Sequence, residues 1–363
     1  MTRVLTSRRL RWAVPALVAT GVAAAAITSN NGAGASEQPN LPAVSAAQLL
    51  TAVQHARPSD LSGTVVETAN LGLPSLPEGD MGGATGLSLQ SMLTGSHTMR
   101  VWYAGPNQQR VAVLAPMSER DVIHNGRDLW TYTSTTNAVT HATVGTAHVP
   151  SEADLARSAP PRAAQQALRA IGPTTRVTVD RTARVAGRAA YQLDLAPRDS
   201  RSLIASVRIA VDAATSTPLR VQVFAVGSTT PAIQVGFTNV SFSPPNPSVF
   251  RFVPPAGAKV TPQQLPTHET PPAHSTGHEP RPGTEGARVL GTGWTAVAEL
   301  PAKGVLSGSN ARLLDQLSSP APGGGRLITT SLVSVLVTRD GHIFAGAVRG
   351  SDLEHVAATG HGL

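Results

Sequence analysis

LIASVRIAVDAATSTPLRVQVFAVGSTTPAIQVGFTNVSFSPPNPSVFRFVPPAGAKV, running from Leu203 to Val260, is the stretch whose reading decides the fold. Val207, Ile209 and Val211 alternate with Ser206, Arg208 and Ala210, so an extended strand here has one apolar face and one largely wettable face. Asp212 to Pro218 supplies a turn. Leu219, Val221 and Val223 then repeat the alternation against Arg220 and Gln222. After a second turn at Gly227 to Pro231, Ile233, Val235 and Phe237 fall on one side. The expectation is an antiparallel meander in which Val207, Ile209, Leu219, Val221 and Phe237 point inward, while Arg208, Arg220 and Gln222 point to water.

Upstream, Arg176 to Ala186 and Ala190 to Ala196 read as two further strands, the second placing Tyr191, Leu193 and Leu195 on one face. Ser151 to Ile171 reads as a helix in two pieces, interrupted at Pro160-Pro161 and stopped at Gly172-Pro173. Met99 to Tyr103, Arg110 to Leu114, Asp121 to His124 and Asp128 to Thr133 are four strands, and Asn125-Gly126 is a hairpin turn between the last two. Leu61 to Ala69 is β-like. The loop LGLPSLPEGDMGGATG that follows is long enough for a lid or a surface excursion, and GLSLQSMLTG beyond it reads as a helical turn. Ser45-Ala-Ala-Gln48 is a capping box, with Leu49, Leu50 and Val53 on one face of the helix it opens.

Four regions follow from this pass. Residues 1–35 join a basic start (Arg3, Arg8, Arg9, Arg11) to the apolar run WAVPALVATGVAAAAI, the pattern of an export signal cleaved after Ala35 or of an N-terminal membrane anchor. Residues 41–260 form the main domain. Residues 261–284, TPQQLPTHETPPAHSTGHEPRPGT, have linker chemistry. Residues 285–358 suit a small α+β domain, with a strand at Gly293 to Ala298, a short helix at Asn310 to Leu317 and a hairpin turned at Asp340-Gly341.

Composition narrows the chemistry. The 363 residues carry a formal charge of +7, but without the four N-terminal arginines 25 basic residues face 22 acidic ones, and no basic cluster interleaves with aromatics. Nucleic acid is therefore not an expected partner. The chain has no cysteine, which excludes disulfides, thiolate metal sites and a lipid-modified N-terminal cysteine. G-x-S-x-G, Walker A, H-E-x-x-H and G-x-G-x-x-G are absent, and Lys259 and Lys303 are the only lysines. His268, His274 and His278 fall in the linker, where nothing fixes metal geometry. His124 and His141 read as polar residues pointing outward from strands, and Asp212 as a turn residue. No enzyme activity, cofactor or metal is expected.

From Leu61 to Phe252 the pattern yields about ten strands and two helices, too few to cover a flat sheet. The sheet must therefore pack against itself or curve strongly, as an incomplete barrel lidded by the helices. Large aromatics are scarce, at 4% of the chain, and an interior lined mainly by Val, Leu and Ile leaves room for a cavity. Its expected lining is Trp130, Tyr191, Leu193, Leu195, Val207, Ile209, Val211, Leu219, Val221, Val223, Val235 and Phe237. Leu71, Leu73 and Leu76 are the candidates for a cavity-mouth loop, with membrane contact or a tuck onto the domain edge as the other readings. Trp102 and Tyr132 are further aromatics suited to core packing or cavity lining.

The element order, the YxLxL strand at Tyr191 to Leu195, IxVDxxTxxPLR from Ile209 to Arg220, FTNVSF at Phe237 to Phe242 and FRFVPPAGAKV at Phe250 to Val260 together resemble the LolA superfamily. The resemblance implies an extracytoplasmic α+β protein whose incomplete β-barrel shields a lipid or lipoprotein acyl chain. A smaller domain after such a domain also resembles RseB-type regulators of envelope-stress signalling, which implies a membrane-protein partner.

Overall fold

The computed structural model describes residues 39–56, 58–73, 94–143, 160–169, 172–264, 287–302 and 316–363. Several expectations lie outside the described residues: the segment 1–35, Leu76, the stretch 86–93, the helix before residue 160, the linker histidines and the helix at 310–315. No helix among the described residues is long and apolar enough to cross a membrane.

Helix α1 spans Ala46–His55, and its capping box forms as read. The Ser45 hydroxyl accepts from the Gln48 backbone N–H at 3.2 Å, and Gln48 Oε1 accepts from the Ser45 backbone N–H at 2.9 Å. Leu49 and Val53, four residues apart on one face, are the buried positions. Helix α2 spans Pro160–Arg169. The paired prolines were expected to interrupt a helix, but they occupy its first turn, where a missing N–H costs no intrahelical bond.

The strands β1 (Asp60–Asn70), β2 (Thr94–Ala104), β3 (Gln108–Ala115), β4 (Ser118–Asn125), β5 (Asp128–Thr133) and β6 (Ala138–Thr143) form one meander. A second consists of β7 (Thr175–Val185), β8 (Arg188–Pro197), β9 (Ile204–Asp212), β10 (Pro218–Ala225) and β11 (Pro231–Ser241). Pairing of β1 with β11 joins them into one sheet, ordered β12-β6-β5-β4-β3-β2-β1-β11-β10-β9-β8-β7. Strand β12 (Lys259–Gln264) pairs parallel with β6, so the sheet is mixed and not purely antiparallel as expected. The chain between β11 and β12 crosses over the sheet, which lets β12 run in the same direction as β6. Residues 261–264, read as linker, belong to this edge strand, where Pro262 is tolerated because one side makes no ladder bonds.

The sheet stays open, yet β7 touches β11 across the three strands between them. Register shifts at Thr64/Val65, Pro218/Arg220, Val223/Phe224 and Val179/Arg181 account for that curvature, because each irregularity adds local bend and twist.

Directly paired residues share a face, so the ladders assign both sides. Leu193, Ile209, Val221 and Val235 form one cross-strand row, and Phe237, Val65, Met99 and Val113 continue the same side. The opposite face was expected to be largely wet. Instead Ser206, Ala210 and Asp212 are buried there, and Arg208, Arg220 and Gln222 are only partly exposed. Pairing offsets part of that burial: Gln222 donates to Gln234 Oε1 at 2.6 Å, and Arg208 lies 3.4 Å from Asp194 and over the Phe224 ring, while Arg220 Nε is shut from water without a hydrogen-bond partner.

Beyond residue 287 the chain forms a second, smaller sheet of six antiparallel strands, ordered β13-β14-β18-β17-β16-β15, within the same compact unit as the first. Its strands are β13 (Arg288–Leu290), β14 (Val297–Pro301), β15 (Ser319–Pro320), β16 (Arg326–Thr329), β17 (Ser334–Val337) and β18 (His342–Gly346). The expected turn at Asp340-Gly341 connects β17 and β18. Gly293 to Thr295, expected within a strand, is a 3-10 turn. Helix α3, Gly350–Thr359, packs Leu353 and Val356 against Leu336 and Phe344, and Gly360 ends it in the left-handed conformation.

Candidate ligand-binding face

The apolar face of β8 to β10 is built by period-2 alternation and covered by the two helices. Leu193, Leu195, Ile209 and Val211 are 0% exposed, and Val207 and Val221 are nearly so. Leu49 and Val53 of α1 and Ala164 of α2 complete this cluster, with Tyr191, Val223, Leu168 and Trp294 at its border. Leu219, Val235 and Phe237 belong to an adjoining cluster with Leu61, Val65, Met99, Val101 and Val113. Leu219 joins it from the register shift beside Pro218.

Eleven of the twelve expected lining residues are therefore drawn into two adjoining apolar clusters, and Trp130 is not among them. The ladder Trp102, Arg110, Ile123, Trp130 and His141 lies on the other side of the sheet from Leu61, Val65 and Met99. There Trp130 stacks on His141 at 3.8 Å between centroids and meets Phe252 of the crossing segment at 5.5 Å. That segment buries Phe250 and accepts a hydrogen bond from Arg110 Nη1 at the Val249 carbonyl. The alternation FRF was visible in the sequence, but nothing there said which strands it would cross.

Leu71 is buried against Leu332, between β16 and β17, together with Ala225 and Ala232, and Leu73 packs beside them. Of the three readings for this loop, these two residues follow the tuck onto the domain edge, reinforced by Ser331 N–H donating to the Leu71 carbonyl at 2.9 Å. Two more contacts join the C-terminal region to the large sheet: Leu203 N–H donates to the Ala347 carbonyl at 2.8 Å, and Trp294 Nε1–H donates to the Thr175 hydroxyl at 2.8 Å. Neither had a sequence signal, since each links residues more than a hundred positions apart.

Most of the paired titratable groups sit on the opposite side of the sheet. Arg110 grips Asp121 with Nε and Nη2, at 3.3 and 2.8 Å, and stacks over Trp102. Asp212 does more than the turn role read for it: it accepts from Thr215 N–H and Oγ1 and from both Arg188 Nε and Nη2, at 2.6 and 2.9 Å for the arginine. Burial pushes the Asp212 carboxyl up, but the hydrogen bonds from Arg188 and Thr215 and the Arg188 charge outweigh it and hold the group below its ordinary value. His124, expected outward, is buried at 6%, with Nε2 2.9 Å from the Gly126 carbonyl and Nδ1 shut from water without a partner. His141 pairs with Asp128 at 2.8 Å. Among the described residues no cluster of three or more His, Asp or Glu is arranged to hold a metal ion.

The model of the family described as the MucB/RseB N-terminal domain matches residues 89–269. Among solved structures, the chain is similar to one in the MucA/MucB complex from Pseudomonas aeruginosa, with 17% identity over 86% of this chain and 96% of that one and a TM-score of 0.41. An uncharacterized conserved protein from Thermus thermophilus is 14% identical over 60% of this chain and 99% of its own, with a TM-score of 0.33. A LolA superfamily protein from Nitrosomonas europaea is 13% identical over 58% and 99%, with a TM-score of 0.24. No curated protein matches the chain.

Proposed function

We propose that the chain, whose residues 89–269 match the model of the MucB/RseB N-terminal domain, is an exported, non-enzymatic protein that binds a lipid or acyl group against the apolar face of its curved sheet. The observation that carries this reading is the alanine-rich contact through which α2 covers the face. Apolar side chains run without a break from Leu193 through Val235 and on to Val113, and among the described residues α1 and α2, ten residues each, are the helices packed on the β8 to β10 part of it. Helix α2 meets the sheet mainly through Ala163, Ala164, Ala167 and Leu168. An alanine offers one methyl group, and burial of a group that size stabilises by only about 0.8 kcal/mol. Lifting α2 is thus cheaper than lifting a leucine-rich helix, and an acyl chain entering beneath it keeps the apolar face out of water.

Native mass spectrometry and lipid extraction of the full chain purified from a membrane-containing host test the proposal. A bound acyl lipid at one per chain is the expected result; a protein that stays lipid-free, and remains so after incubation with phospholipid vesicles, overturns it.

A second reading, a regulatory module acting on a membrane protein in the envelope, is favoured by the way the second domain is attached. Trp294 borders the same cluster that the helices cover, so occupancy of the face would be felt by the C-terminal domain directly. A crosslinking experiment in native membranes that yields no membrane-protein adduct, with or without added lipid, counts against it.

A further inference from the structure

The C-terminal region holds a separate cavity of about 520 Å³ between its sheet and the end of α3. Its floor is apolar, formed by Leu336 and Phe344 from the sheet and Ala357 from the helix. Its charged groups fall into two sets. Glu299, 5% exposed, is fully engaged: Arg288 donates from Nε and Nη2 at 3.1 and 3.0 Å, and His342 Nδ1 lies 3.0 Å from Oε1. Glu354 is not. It lines the cavity, and its Oε1 is shut from water with no hydrogen-bond donor. With one oxygen stripped of water and lacking a donor, the carboxylate charge is under-compensated, and a cation held in the cavity beside the rest of the side chain offsets it through space.

Two further features act in the same direction. The guanidinium groups of Arg288 and Arg339 face three carboxylates, Glu299, Asp340 and Glu354, which leaves the lining one negative charge when His342 is neutral. Arg339 is exposed and lies against Gly324 at the rim, so it does not fill the interior. Ala357, Ala358 and Gly360 bring the last turn of α3 to the cavity wall, and the carbonyl end of a helix favours positive charge.

We propose that this cavity binds a primary ammonium group on an aliphatic stem, with the ammonium at Glu354 and the stem over Phe344 and Leu336. A lysine side chain of a partner protein and a free polyamine share that chemistry. The site is independent of the apolar face of the large sheet, and the two proposals stand or fall separately.

Isothermal titration calorimetry on the full chain tests it, with 1,5-diaminopentane and an N-acetyl-Gly-Lys-Gly-amide peptide as probes and 1-pentanol as the uncharged control. Saturable binding of one amine per chain, without binding of pentanol, is expected. Glu354→Gln keeps the side-chain shape and lowers affinity about tenfold or more, the size of a lost charge-assisted hydrogen bond. Ala358→Leu, at an exposed position, narrows the mouth and has a similar effect without touching the core. Diaminopentane binding alone points to polyamines, and binding of the peptide points to a lysine side chain. Absence of saturable binding by either amine, or binding undiminished in both variants, overturns the proposal.

Discussion

Trp294, just before β14 of the smaller sheet, donates its indole N–H to the hydroxyl of Thr175, at the start of β7, across 2.8 Å. The same indole borders the cluster formed by α1, α2 and the apolar face of β8 to β10. A single side chain therefore links the C-terminal region, the edge of the large sheet and the face proposed for the ligand.

Trp294→Phe keeps the ring and removes the donor. Thr175, 5% exposed, then loses a partner in a site with little water, and a loss of about 1 kcal/mol in equilibrium denaturation is expected. Subtracting the variant's emission from that of the wild type isolates Trp294 fluorescence, which should shift when an acyl ligand enters.

Asp212→Asn leaves Arg188 without its counter-charge on a nearly water-free partner, and breaking such a pair costs about 3 kcal/mol. The pH dependence follows in sign. The folded carboxyl lies below its unfolded value, so its contribution is complete above the ordinary value of about 4 and is lost as pH falls through the lower folded value. Acid denaturation of the wild type should therefore steepen below about pH 4, and Asp212→Asn should flatten it.

Gly63→Ala tests the irregularity between β1 and β11. A Cβ at Gly63 collides with the Asn239 carbonyl oxygen and comes 2.9 Å from the Phe237 ring. The ring or the strand must move, and a loss of about 1–3 kcal/mol in thermal or chemical unfolding is expected.

Ile209→Ala removes a fully buried side chain from the middle of the face and should cost about 2–5 kcal/mol. The space it leaves lies where the acyl group is placed. Lipid retention in native mass spectrometry should therefore hold steady or rise while stability falls.

The meander was legible because Val207, Ile209, Val221 and Val235 alternate with polar residues, and a period of two survives any folding context. The capping box at Ser45 was legible for the same local reason. Trp130 was not, because which face a strand presents depends on the register shifts between it and the meander. Polar Arg208 and Arg220 were read as wet, but the Phe224 ring and Asp194 shelter Arg208, the Arg220 stem lies over Gly236, and that is a tertiary effect. Strand β12 hid in a proline-rich stretch whose composition favours a linker. Helix α3 begins at a glycine and carries only Leu353 and Val356 on its buried face, too few positions to register as a period.

Photolabelling with a fatty acid bearing a diazirine at its acyl end is the most direct test of the central claim. After irradiation of the full chain and peptide mapping, labels are predicted on Leu193, Ile209 or Val221 of the sheet, or on Leu49, Val53 or Ala164 of the covering helices. Labels confined to Trp130, Phe252 and the opposite face, or no saturable labelling at all, would contradict it.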